Sequence, residues 1–175
     1  MWKEMGYFNQ PELFTKTEVP ITLAVLVLIG SMILIRNNFR ALIIAQIIVL
    51  AGFLLAGIST FLFINGQLSP VYWVTLVGMG LYMGYIPYNC VLFERLIATF
   101  RIPANVGFLI YIADSFGYLG SVGVVITKGV FNLNVQWVKF YSNSVIILSV
   151  IGVIGTLLSI LYFSRKHKQL SSSHE

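Results

Sequence analysis

The stretch FLIYIADSFGYLGSVG, residues 108–123, holds Asp114, the one aspartate among 175 residues. At about 100° per residue, Gly107, Tyr111, Asp114, Gly117, Tyr118 and Ser121 fall on one helical stripe. Leu109, Ile112, Phe116 and Leu119 occupy the opposite side, which suits lipid, so the polar stripe is expected to face the bundle. A carboxylate beside tyrosine and serine hydroxyls can bind a proton, a cation or a substrate amine. It can also hydrogen-bond to Tyr or Asn on a neighbouring helix and fix packing. No Lys or Arg lies within any of the long apolar runs. Asp114 must therefore be protonated, pair with a cation, or meet a partner outside this chain.

A second group precedes it in GLYMGYIPYNCVLFER, residues 80–95. Thr75, Gly78, Tyr82, Tyr85 and Asn89 share one helical face. Pro87 removes the hydrogen bond to the Met83 carbonyl and is expected to kink or break the helix, and Gly84 weakens the same turn. Interrupted helices often line substrate sites in transporters, although a plain proline kink is commoner. Tyr82, Tyr85, Asn89, Tyr111 and Tyr118 are thus candidate ligand contacts, or hydrogen-bonding partners between helices. Glu94, Arg95 and Arg101 mark the end of this helix. They read as a snorkelling charged boundary, or as a cytoplasmic gate in which Glu94 pairs with a nearby arginine. Gly117, Gly120 and Gly123 recur every third residue, a pattern that favours close helix packing.

Other chemistry is poorly served. The single cysteine, Cys90, makes no disulfide within the chain and no CxxC site. His167 and His174 both lie in the polar C-terminal segment, so no span carries a Ser–His pair or an HExxH zinc motif. One aspartate makes no acid dyad, and no phosphate-cradling glycine loop with its lysine occurs. These patterns point away from an enzyme and imply neither metal nor cofactor. The net charge of +5 is spread over loops, which fits membrane topology and not nucleic-acid binding.

The elements that must position these groups follow from composition. Hydrophobic residues make up 58% and charged residues 10%, where a soluble domain carries about 25% charged. The mean hydropathy is +0.88. The chain is therefore expected to be an all-α, polytopic transmembrane bundle in contact with the lipid bilayer, and about five runs are long enough to span it. Their expected bounds are 19–35, with Pro20 in the first turn, then 41–64, 71–93, 105–127 and 140–163. Residues 1–18 form a polar and aromatic segment, external or interfacial, with Trp2, Tyr7, Phe8 and Phe14 suited to a membrane surface. FERLIATFR, residues 93–101, reads as a short interfacial segment. RKHKQ stops the last span, and 164–175 is expected to be a disordered cytoplasmic tail.

Arg36, Arg40, Arg95, Arg101, Arg165, Lys166 and Lys168 alternate to one side. Lys3, Lys16, Lys128 and Lys139 fall on the other. The positive-inside bias then puts the C-terminus in the cytoplasm and the N-terminus outside, in an inner (plasma) membrane. An external N-terminus without a signal peptide is most simply explained if further helices precede this chain, as in a fragment or one half of a larger protein.

YMGYIPYNCVLFERLIATFR followed by GFLIYIADSFGYLGSVGVV resembles an uncharacterised family of bacterial multi-pass membrane proteins, domain of unknown function 5690. The resemblance rests on Tyr85, Pro87, Asn89, Phe93, Glu94, Arg95, Asp114, Gly117, Tyr118 and Gly120. It implies a major-facilitator-like architecture, with this chain corresponding to part of the C-terminal half. The loop RNNFR (36–40) keeps only the basic ends of the loop signature usual among major facilitators. The implied function is part of a secondary transporter for an unknown small solute, with Asp114 as the proton or cation site. The other expectation is a non-transporting membrane scaffold or assembly factor, in which the same polar stripe holds helices together.

Overall fold

A computed structural model of the chain describes residues 12–131 and 136–172, and helices are the only regular elements among them. They are α1 (Glu12–Ser31), α2 (Asn38–Ile64), α3 (Pro70–Pro87), α4 (Phe93–Phe100), α5 (Val106–Phe131) and α6 (Trp137–Ser172). A π-helical turn, Tyr88–Leu92, joins α3 to α4, so the two form one continuous rod. Five segments of the described residues are long and apolar enough to cross a membrane: Thr17–Leu34, Asn38–Ile64, Pro70–Phe100, Val106–Ile126 and Trp137–Leu170.

Helix α2 is the hub, packed on α3 and α6, while α1 lies against α3. Its sequence explains why. In lipid the apolar effect does not drive helices together, so small side chains that allow close contact decide which faces meet. The buried residues of α2 include Ala41, Ala45, Gly52, Ala56 and Thr60, spaced by four or seven along one face. Gly52 meets Gly80 of α3 there. A Cβ added at Gly52 would lie 2.5 Å from the Gly80 carbonyl oxygen, and one added at Gly80 would lie 2.5 Å from the Gly52 oxygen.

Aromatic packing closes one end of this bundle. The Trp73 indole is fully buried, stacks on Phe63 with ring centroids 3.9 Å apart, and meets Tyr141 edge-on at 5.7 Å. Its Nε1–H donates to Thr60 Oγ1 at 3.1 Å, and the Thr60 hydroxyl donates to the Ala56 carbonyl at 2.7 Å. Thr60→Val keeps the shape but leaves the buried indole N–H unpaired. It is expected to destabilise the folded chain by about 1–3 kcal/mol, read from denaturation in detergent.

The opposite end gathers the α1–α2 connection, α4 and the last turns of α6. Arg95 Nη1 donates to Asn38 Oδ1 at 2.7 Å, the His167 ring stacks on Phe39 at 3.8 Å, and Lys166 lies over the Phe100 ring at 5.2 Å. These contacts account for a difference from the sequence reading. Helix α6 does not stop at Phe163 but continues to Ser172, because Lys166 and His167 find aromatic partners that reward the helical conformation.

Two further expectations change. Helix α1 begins by Glu12, so residues 12–18 belong to the first helix and Pro20 sits well inside it. Transmembrane helices tolerate such prolines, and Thr17 is buried rather than left in an external segment. The aromatics Trp2, Tyr7 and Phe8 lie outside the described residues. Residues 93–100 continue the helix of α3 through the π turn.

Helix α5 stands apart. No residue of its apolar window, Val106–Ile126, is buried, and it touches the rest chiefly through α4. The expected tight packing at its glycine stripe is absent. A Cβ on Gly117, Gly120 or Gly123 would meet nothing within 4 Å. Close packing in this chain belongs instead to Gly52, Gly80 and Gly152, on the helices that do pack.

Candidate functional site

The polar stripe of α5 faces a cavity of about 570 Å³, bounded on its other sides by α2, α3, the π turn and α6. Asn105 starts α5 by accepting the Gly107 backbone N–H on its side-chain oxygen at 2.8 Å, an N-terminal cap that sets the helix register. From that start Asp114, Gly117, Tyr118 and Ser121 all reach the cavity wall. Across it stand Tyr85 at the end of α3, Tyr88 and Asn89 on the π turn, and Phe53 of α2. The Tyr85 hydroxyl donates to Asp114 Oδ1 at 3.0 Å, which links α3 to α5 directly.

Pro87 builds the far wall without breaking the helix. Its backbone remains helical at φ −57° and ψ −32°. The missing proline N–H is accommodated by the wider turn that follows, Tyr88–Leu92. A π turn holds one more residue than an α turn, so side chains beyond it are rotated by about 100° from their place in an unbroken α-helix. Such turns occur frequently at functional sites. Here it carries Asn89, whose side-chain oxygen is buried with no hydrogen-bond partner.

The cavity therefore collects Asp114, Tyr85, Asn89 and Tyr118 from the candidates, and it leaves out two. Tyr82 and Tyr111 do not line it, and Tyr111 is 75% exposed. Thr75 turns back to its own helix, donating to the Val71 carbonyl at 2.9 Å, and Gly78 lies against Ile21 of α1. Phe53 and Tyr88 were not legible as site residues. Tyr88 was masked by the register change after Pro87, and Phe53 by the uniformly apolar run of α2.

The charged residues beyond the π turn take separate places among the described residues. Arg95 bonds Asn38, Arg101 takes the left-handed backbone conformation that ends α4 (φ 49°), and no ion pair to Glu94 forms among the described residues. The Arg95 Nε is buried without a partner. Gln46, on the buried face of α2, donates to Ser159 Oγ at 2.9 Å and fastens α2 to α6.

The bundle, with five membrane-length apolar segments, has the character of a multi-pass membrane protein, and an acid on one of those segments faces a tyrosine-walled cavity. The chain belongs to the family of unknown function DUF5690, which it matches over residues 1–166. No curated protein and no solved structure matches the chain.

Proposed function

We propose that this chain lines the solute path of a bacterial secondary transporter for a small solute, with Asp114 as the group that takes up the coupling proton or cation. The observation that carries the reading is the Tyr85–Asp114 hydrogen bond across the cavity. An intramembrane acid held by a single phenol, with no basic partner among the described residues, has charge capacity that packing does not use. The π turn opposite supports the same reading, because interrupted helices line substrate sites in transporters.

In this proposal the chain works as part of a major-facilitator-like C-terminal half in the inner membrane, with the N-terminus outside and the C-terminus cytoplasmic. A second helical bundle closes the exposed side of α5, since alternating access needs two bundles moving about one site. Glu94, Arg95 and Arg101 sit at the cytoplasmic mouth as boundary charges. The same exposed face of α5 also favours a second reading, an assembly factor that docks another membrane subunit.

Ion-gradient-driven uptake by cells expressing the chain with its flanking coding sequence, compared with Asp114→Asn, tests the choice. Normal insertion with loss of proton- or sodium-dependent uptake supports transport. Failure to assemble with partner proteins, in cells that never showed uptake, supports the scaffold.

A further inference from the structure

The groups around the cavity have a chemical bias that narrows the ligand beyond a small solute. Lysine, arginine and histidine are absent from its lining. Asp114 is the one carboxylate in its lining. Asp114 accepts one hydrogen bond, from Tyr85, and a carboxylate has room for about four. The Asn89 side-chain oxygen is closed off from solvent, so that residue does not offer it to the cavity. The Tyr85 hydroxyl is committed to Asp114, and the Ser121 hydroxyl donates to the Gly117 carbonyl of its own helix.

A carboxylate among apolar groups is costly to keep charged, and the cost is removed by a cationic ligand that brings N–H groups. One carboxylate supplies too few oxygen donors for a bare divalent cation, which takes six or more. The remaining wall is aromatic, from Phe53, Tyr88 and Tyr118. Aromatic faces attract organic cations, most strongly where water is excluded. The volume of about 570 Å³ lies within the usual range for drug-sized ligands, about 300–1,000 Å³.

We infer that the cavity binds an organic ammonium ion carrying an apolar body, with the ammonium at Asp114 and the body against the aromatic wall. The inference rests on the reading of this cavity as a solute site, and it names the class of solute.

Three probes of nearly equal shape separate charge from greasiness: phenethylammonium, phenethyl alcohol and 3-phenylpropionate. Each is titrated against the 175-residue chain in lipid nanodiscs, with empty nanodiscs subtracting partition into lipid. Phenethylammonium is expected to bind at least about tenfold more tightly than the alcohol, with no binding of the carboxylate, as a partly desolvated charge pair requires. Asp114→Asn is expected to erase that preference. Tyr118→Leu leaves the carboxylate in place and is expected to weaken phenethylammonium about three- to tenfold, so a folding defect in one variant does not decide the result.

Equal binding of the alcohol, tighter binding of the carboxylate, or an ammonium affinity untouched by both substitutions overturns the inference. Selective ammonium binding without ion-gradient-driven uptake in cells keeps this inference and removes the transport reading. Ion-driven uptake of solutes with no cation preference does the reverse.

Discussion

Replacing Gly52 with alanine is expected to destabilise the bundle by about 3 kcal/mol, enough to lose most of the folded chain from the membrane fraction. One methyl group has this effect because of where it would go. The new Cβ would sit 2.5 Å from the Gly80 oxygen, 2.8 Å from Met83 Cβ and 2.9 Å from the Gly84 nitrogen. All three belong to the backbone or to its first side-chain atom, so no rotamer change relieves the clash. Helices α2 and α3 must separate, and in lipid nothing replaces the dispersion contacts then lost.

Gly80→Ala is expected to behave alike, since its Cβ would meet the Gly52 oxygen and Ala56. The controls are Gly120→Ala and Gly155→Ala, where an added Cβ meets nothing within 4 Å. Alanine favours a helix over glycine, so these two are expected to be neutral or to stabilise by up to about 1 kcal/mol. Thermal unfolding in detergent and membrane yield measure all four. A loss at Gly120 as large as that at Gly52 would show that the α5 stripe is packed against another membrane segment.

Asp114→Asn carries the second large effect, and it is one on activity without a matching one on folding. A charged aspartate near the bilayer centre costs about 2.5–3.5 kcal/mol to insert, so its removal does not penalise insertion. The asparagine oxygen can still accept the Tyr85 hydroxyl, which preserves the α3–α5 link. What is lost is the ability to take up a proton or neutralise a cation. Ion-gradient-dependent uptake is expected to fall to the level of cells lacking the protein, while insertion and yield stay as in the parent. Tyr85→Phe provides the graded comparison. It removes one neutral donor worth about 0.5–1.5 kcal/mol, so uptake or affinity should fall by about tenfold at most. A Tyr85→Phe defect as complete as that of Asp114→Asn, with poor insertion in both, would assign the pair to structure.

The membrane class, the five apolar runs and the helical stripe through Asp114 were legible because they depend on local composition and on a period of 3.6 residues. The same logic picked out Tyr85, Asn89 and Tyr118, which lie within one or two turns of Pro87 or Asp114. It failed where a distant element decides. Tyr82 shares a nominal face with Tyr85 but does not line the cavity, and Tyr111 shares the Asp114 stripe yet lies 75% exposed outside it. The extension of α6 through Lys166 and His167 needed Phe100 and Phe39, residues more than sixty positions earlier.

The glycines show the division most plainly. By sequence, the repeat Gly117, Gly120, Gly123 has the look of a packing face, while Gly52 and Gly80 are not marked out from neighbouring small residues such as Ala51, Ala56, Gly78 and Gly84. Sequence alone determined that the chain is an α-helical membrane protein with its one aspartate inside an apolar run, because hydropathy and charge act residue by residue. Only the tertiary structure decided which glycines touch, that Pro87 leads into a π turn instead of a break, and that Tyr85 meets Asp114 across a cavity. Those outcomes depend on which helix faces approach one another, and in lipid that choice rests on small-residue fit and paired polar atoms between segments far apart in the chain.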